Sequence, residues 1–220
     1  FMVQDFILWA KGQGIPIGPG RGSAAGSLLS WLLEITQIDP IRYGLSFERF
    51  LNPHRKKMPD IDVDVCKRRR GEVLQYMKDR WGEENVAAVA TYHRFTSNSL
   101  FREVSRALGC AYNEYNDIAK KIDHTDTWEN NLGKNKELKA YVEENEDINL
   151  YMDELDGNIK NFGTHAAAII ITNGSISDYL PLRRTKDTAG NVNIITEIEK
   201  DLLEAFGYLK KDILGLKTLT

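Results

Sequence analysis

The sequence predicts a mixed α/β (α+β) fold in which a β-sheet is interrupted by a helical insertion. Two strand-like stretches, DIDVDVC (60–66) and VAAVATYH (86–93), precede a long region of helical patterns separated by polar segments. Strand-like patterns then return in AAAIIIT (166–172), VNIITEI (192–198) and YLKKDILGL (208–216). The order sheet, helices, sheet follows from these three observations.

The elements before the first strand are helices and loops. VQDFILWAKGQG (3–14) predicts a helix that its glycines end, since its apolar residues recur at helical spacing. The loop IPIGPGRG (15–22) leads into AAGSLLSWLLEITQ (24–37), which predicts one largely buried helix with Ser23 as its N-cap. DPIRYGLSFERFL (39–51) then predicts a turn and a short mixed element.

The elements after Asp60 are more regular. Residues 60–66 alternate acidic and apolar side chains, the period of two that is typical of a strand. KRRRGEVLQYMKDRWG (67–82) predicts an amphipathic helix with Val73, Met77 and Trp81 on one face, ended by Gly82. The helical insertion between about 94 and 160 is predicted from four stretches: SNSLFREVSRALG, NEYNDIAKKI, NKELKAYVEEN and INLYMDELDG.

Composition narrows the class of protein. The chain has 220 residues, 42% hydrophobic and 28% charged, and no apolar run approaches the ~20 residues of a membrane span. Cys66 and Cys110 lack metal-site spacing, which predicts neither zinc nor a disulfide and favours a cytoplasmic location. No secretory signal is recognisable and Met is the second residue, so we expect a piece of a longer protein.

Three alternating aspartates carry the first chemical signal. On a strand, Asp60, Asp62 and Asp64 would project to one face, where like charges repel and raise one another's pKa. Divalent cations such as Mg²⁺ prefer such carboxylate oxygens. The alternative is an edge strand with a solvated acidic face. Basic residues on both sides, RKK (55–57) and KRRR (67–70), favour a binding site.

The glycine-rich loop carries the second signal. GPGRGS (18–23) offers backbone N–H groups to an anion, but it lacks the lysine of a Walker A loop and the third glycine of a dinucleotide fingerprint. A plain turn is the alternative. Arg21 and Ser23 favour phosphate binding, since a guanidinium and a hydroxyl are good phosphate donors.

LKKDILGLKT (209–218) carries the third signal. Lys210 and Asp212 share a face if the segment is extended, which puts a carboxylate beside a cation. Such a pair is often only a surface contact. Combined with carboxylates from a distant strand, it is typical of a two-metal phosphoryl-transfer site.

Four blocks, in this order and spacing, resemble one known family. GPGRGSAAGSL, ERFLNPHRKKMPDIDVD, THAAAIIIT and LKKDILGLKTLT are similar to the catalytic core of the bacterial replicative DNA polymerase III alpha subunit, the C-family of DNA polymerases. The resemblance implies a polymerase-β-like nucleotidyltransferase palm with an inserted helical thumb. Its implied domains are 1–92 (palm, first part), 93–160 (thumb), 161–217 (palm, second part) and 218–220 (start of the fingers).

The same resemblance assigns expected site residues and partners. The catalytic, metal-binding residues would be Asp60, Asp62 and Asp212, with Asp64 secondary; the nucleotide or DNA contacts would be Arg21, Gly22, Ser23, Arg49, Arg55 and Lys210. Two Mg²⁺ ions are implied, with Mn²⁺ as a substitute. The implied partners are template-primer DNA and dNTP and, for the full-length parent, the sliding clamp and other replisome subunits.

The expected function is template-directed transfer of a deoxynucleotide from dNTP to a primer 3′-hydroxyl. A metal-dependent phosphodiesterase or nuclease is one alternative, because the same carboxylates can direct water at phosphorus. A non-catalytic nucleic-acid-binding module is the other. Because the fingers lie outside the chain, we expect the isolated fragment to extend a primer weakly or not at all.

Overall fold

A computed structural model of the chain describes residues 1–54, 59–186 and 192–220, and it confirms the mixed α/β class. The helices described are α1 Met2–Gly12, α2 Leu28–Leu32, α3 Arg70–Trp81, α4 Ser97–Ala107, α5 Tyr112–Ala119, α6 Trp128–Lys134, α7 Lys136–Glu144, α8 Glu146–Leu155 and α9 Lys200–Ala205. The strands are β1 Asp62–Cys66, β2 Val86–Arg94, β3 Ile159–Ile171, β4 Leu182–Lys186, β5 Val192–Glu199 and β6 Lys210–Leu216. None of the helices in these ranges is both long and apolar enough to cross a membrane.

The strands form one mixed sheet in the order β1-β6-β3-β2-β5-β4. β6 lies between β1, to which it is parallel, and β3, to which it is antiparallel. Asp212 in β6 is therefore flanked by Asp62 of β1 on one side and Ala168 of β3 on the other. Strands paired on both sides are held at a fixed register, so this arrangement fixes where the Asp212 side chain can lie.

The chain divides into two compact units, one of residues 1–91 with 164–220 and one of residues 92–163. The first unit has one buried cluster that includes Phe6, Ile7 and Met77, and another that includes Val89 and Ile170. The second unit has its own buried cluster of helical residues, among them Leu100, Phe101, Trp128, Leu138 and Met152. Each unit thus buries enough apolar surface to form a separate core.

α1, α3 and β3 are confirmed as elements that the apolar patterns predict. α1 ends at Gly12. α3 buries Val73 and Met77 and ends at Trp81, with Gly82 as its C-cap. Gly82 has a φ of 100°, a conformation that favours glycine. Residues 167–170 of the AAAIII run are buried in β3, although that strand already begins at Ile159.

The single buried helix predicted over 24–37 is wrong. A 3₁₀ helix covers Gly22–Gly26, Ser27 is extended, and α2 begins only at Leu28. The N-cap of α2 is Ser27, whose side chain accepts a hydrogen bond from the Ser30 N–H. Leu29 and Leu32 are 64% and 63% exposed, so this helix is not buried.

Close backbone packing accounts for that break. A Cβ on Gly26 would lie 2.6 Å from the Ser46 carbonyl oxygen, so the chain turns where the two segments meet. Residues 40–44 form the predicted turn, and a 3₁₀ helix follows at Phe47–Arg49. Three elements without a strong pattern, β4, α6 and α9, were not predicted, and β1 begins at Asp62 rather than at Asp60.

Candidate metal and phosphate site

Three of the four candidate aspartates converge at one end of the β1–β6 pair. Asp62 and Asp212 lie opposite each other in the parallel register, and Asp60 lies just before β1. One carboxylate oxygen from each of the three lies within 4.8 Å of the others. Asp64 is outside this group because it lies two residues further along β1, opposite Leu214.

Lys210 places a buried ammonium group between two of these carboxylates. Its Nζ donates to Asp212 Oδ2 at 2.5 Å and to Asp60 Oδ2 at 2.8 Å, and Glu204 Oε1 lies 3.8 Å away. The Lys210 side chain is only 8% exposed. Burial disfavours its charged form, but the hydrogen bonds to Asp212 and Asp60 outweigh that effect and raise the pKa of Lys210.

Negative charge is nevertheless in excess around Asp62. Burial raises the pKa of the Asp62 carboxyl, and the neighbouring charges of Asp60 and Asp212 raise it further, against the lowering effect of Arg21 and Lys210. Within the described residues, Asp212 Oδ1 and Asp64 Oδ1 are both buried without a hydrogen-bond partner, and only Asp212 belongs to the three-carboxylate group. Clustered carboxylates with a free buried oxygen are the donor set that fits Mg²⁺ or Mn²⁺.

This crowding predicts how Asp62→Asn affects stability. A carboxyl whose pKa is raised by folding binds protons more readily in the folded chain, so its ionisation lowers stability as pH rises above its unfolded value of about 3.9. We expect Asp62→Asn to have the higher free energy of unfolding near pH 7, with the gain shrinking towards pH 4. Urea titrations at both pH values measure this difference. Asp79→Asn, at an exposed position of α3, is the control, and a gain that grows towards acid pH would contradict the prediction.

The glycine-rich loop is attached directly to β1. Pro16 O accepts a hydrogen bond from the Cys66 N–H at 2.9 Å, and Gly18 N–H donates to Asp64 O at 2.8 Å. Gly18 is required sterically, because a Cβ there would lie 2.9 Å from the Asp64 Cβ. The loop therefore runs beside the aspartates, although the sequence separates the two by some forty residues.

Because the loop is bonded to β1, its predicted phosphate-binding residues lie beside the aspartates. Arg21 Nη2 lies 3.5 Å from Asp62 Oδ2, and Arg21 Nε lies 3.4 Å from Asp64 Oδ1. Gly22 has a φ of 64°, and a Cβ there would lie 3.9 Å from Asp62 Oδ2. Ser23 is partly buried in the 3₁₀ helix that follows. An arginine and a glycine backbone thus border the carboxylate cluster, as an anion next to a metal would require.

The other residues predicted to contact nucleotide or DNA are not among those shown beside the aspartates. Arg49 is exposed on its 3₁₀ helix, close behind Ser46, which packs against Gly26. Arg55 lies outside the described residues. His165 lies in β3, where its Nδ1 accepts hydrogen bonds from the Ala167 and Ala168 N–H groups.

Two contributors to the site were missed from the sequence. Glu204 belongs to α9, which no periodic pattern predicted. Arg70 was noted only as part of a basic run; its Nε donates to Ile213 O at 2.7 Å and so fixes β6 next to Asp212. The contact partner of Arg70 is distant in sequence, so no local signal could have identified it.

Comparison with known proteins identifies the family of the chain. The family model described as bacterial DNA polymerase III alpha NTPase domain matches residues 1–215. Proteins named DNA polymerase III subunit alpha are 42% identical over 241 residues (Helicobacter pylori strain J99), 40% over 232 residues (Thermus aquaticus) and 40% over 224 residues (Buchnera aphidicola subsp. Schizaphis graminum). Each match covers 100% of this chain but only 18% or 19% of the relative, so the chain spans about a fifth of their length. On the strength of the family match and these identities, the chain belongs to the bacterial DNA polymerase III alpha NTPase domain family.

Proposed function

We propose that this chain is the nucleotidyl-transfer core of a replicative DNA polymerase, in which a primer 3′-hydroxyl attacks the α-phosphate of a dNTP and pyrophosphate leaves. The observation that carries the proposal is the convergence of Asp60, Asp62 and Asp212 beside an arginine-bearing glycine loop. Family membership supports DNA synthesis as the activity of the longer parent. Residues 1–92 and 161–217 would form the palm and residues 93–160 the thumb.

Asp60, Asp62 and Asp212 would hold two divalent cations, Mg²⁺ or Mn²⁺. When bound, these cations supply activation of the attacking hydroxyl and neutralisation of charge on the leaving oxygens. Asp212 suits this role because its buried Oδ1 accepts no hydrogen bond within the described residues. The position of Asp212 between β1 and β3 keeps its carboxylate oriented without help from a flexible loop.

The cationic residues would bind and orient the triphosphate. Arg21 has two N–H groups near Asp62 and Asp64, and its planar guanidinium leaves further donors for phosphate oxygens. Gly22 and Ser23 would add backbone and hydroxyl donors. Lys210, which lies between Asp60 and Asp212, would contact a phosphate bound at those carboxylates. Arg49 and Arg55 would contact nucleotide or DNA from neighbouring segments.

Nucleotide binding tests this proposal. We expect a fluorescent dNTP to bind the 220-residue chain about tenfold more tightly when Mn²⁺ is present, since cations held by carboxylates bind substrate phosphates in turn. Asp60→Asn should abolish the gain from Mn²⁺, and Asp79→Asn should keep it. Primer extension by the chain alone is expected to be weak or absent. Cleavage of DNA with Mn²⁺ and no dNTP would instead support a phosphodiesterase, and metal-independent DNA binding alone a non-catalytic module.

A further inference from the structure

Asp64 is the aspartate that the proposed metal site leaves without a role. Its side chain is 12% exposed, compared with 29% for Asp62 and 45% for Asp60. Burying a carboxylate is costly unless a cation or hydrogen bond compensates. Arg21 Nε, 3.4 Å from Asp64 Oδ1, supplies the opposite charge as an ion pair, while that oxygen accepts no hydrogen bond among the described residues. The Gly18 N–H donates to the backbone oxygen of the same residue.

Arg21 lies between two carboxylates and forms a tight contact with neither. Its Nη2 is 3.5 Å from Asp62 and its Nε is 3.4 Å from Asp64, both longer than the 2.7–2.9 Å of a charge-assisted hydrogen bond. Asp62 is shared between Arg21 and the cluster with Asp60 and Asp212. A guanidinium that closed fully onto Asp62 would neutralise one of the three candidate metal ligands.

We propose that Asp64 is a positioning residue: it holds Arg21 back from Asp62, so that Asp62 stays available to a divalent cation while Arg21 faces the loop side of the site. The part of this inference that concerns cation binding rests on the proposed function. The part that concerns the position of Arg21 rests on the ion-pair geometry alone. The strand register explains how one aspartate can be a metal ligand and the other a positioning residue. Asp62 is opposite Asp212 and Asp64 is opposite Leu214, so only Asp62 can join the cluster while both reach Arg21.

A double-mutant cycle separates this role from a general effect of charge. Mn²⁺ affinity is measured by electron paramagnetic resonance for the parent chain, Asp64→Asn, Arg21→Gln and the double variant. We expect Asp64→Asn to lower affinity about tenfold when Arg21 is present, as for other residues that orient ligands, and less than about twofold in the Arg21→Gln background. An equal loss in both backgrounds would mean that Asp64 acts through its charge or through folding, and would overturn the proposal, as would no loss in either.

A crystal structure of the Asp64→Asn chain without metal tests the Arg21 contact directly. We expect the guanidinium to move onto Asp62, with N to O distances of about 2.8 Å. A guanidinium that stays between positions 62 and 64 overturns the proposal whatever the metal data show. If instead the parent chain bound Mn²⁺ and Asp62→Asn left its affinity unchanged, the proposed metal site would fail, while this structure would still decide the role of Asp64.

Discussion

Asp212→Asn is expected to lower the Mn²⁺ affinity of the chain by about 100-fold or more, because loss of a direct ligand should cost at least as much as loss of a ligand's supporting partner. Asp212 supplies a buried carboxylate oxygen that, among the described residues, accepts no hydrogen bond. Asparagine keeps the size of the side chain but removes its charge, and a neutral amide oxygen is a weaker ligand for a hard cation. Isothermal titration with Mn²⁺ measures the change.

The matched control for Asp212→Asn is Asp201→Asn, an exposed position on α9 where the same charge is removed. Its Mn²⁺ affinity should stay within about twofold of the parent, since exposed charges are screened by salt. Thermal unfolding of Asp212→Asn should remain cooperative, because the amide oxygen can still accept from Lys210. If Asp212→Asn bound Mn²⁺ as tightly as the parent chain, the cation would have to lie away from β6.

Lys210→Met is expected to have the largest effect on stability. Without metal, the free energy of unfolding should fall by about 3 kcal/mol, which is the low end for breaking a buried ion pair. The low end applies because Asp60 is partly exposed. Methionine fills a similar volume but leaves Asp60 and Asp212 without their shared cation. Urea unfolding at neutral pH measures the loss. Lys217→Met, at an exposed position just after β6, is the control and should change stability by less than about 0.5 kcal/mol.

The pH dependence of the Lys210 contribution has a definite sign. Folding raises the pKa of Lys210 through its hydrogen bonds to Asp212 and Asp60, against the effect of burial. A raised lysine pKa stabilises the folded chain fully below the unfolded value of about 10.4, and this stabilisation is lost as pH rises through the folded value. The deficit of Lys210→Met should therefore be constant from pH 7 to 9 and shrink only in strongly alkaline solution.

Divalent cations provide a second test of Lys210. Because Mn²⁺ can replace the missing ammonium as the counter-ion of Asp60 and Asp212, saturating Mn²⁺ should restore more stability to Lys210→Met than it adds to the parent. Lys210→Arg, which keeps the charge, should lose less than Lys210→Met. A Lys210→Met chain as stable as the parent without metal would mean that solvent already screens these carboxylates.

Sequence patterns predicted the elements best where local geometry dominates. α3 follows from apolar periodicity, and the buried end of β3 follows from a continuous apolar run. The Gly82 stop follows from a conformation that glycine adopts readily. The prediction of one helix over 24–37 was wrong because the interruption comes from the approach of Ser46 to Gly26, and these residues lie far apart in the sequence. Periodicity contains no information about such an approach.

For the candidate site, the sequence predicted the chemistry of the residues but not which of the aspartates meet. Side-chain alternation along a strand placed the carboxylates on one face, and the residue types indicated a cation and a phosphate. The assignment of Asp60 and Asp62, rather than Asp64, to the metal came only from resemblance to a family. The structure groups the same two with Asp212, and the catalytic role of the three stays a prediction.

The sequence by itself therefore determined the class of fold, the acidic strand and the chemistry that its residues can perform, because these depend on neighbouring residues. Only the tertiary structure decided which carboxylates meet. The parallel pairing of β1 with β6 puts Asp62 opposite Asp212, and the loop attached to β1 brings Arg21 between Asp62 and Asp64. Hydrogen bonds between strands distant in the chain set that register, and no local pattern encodes it.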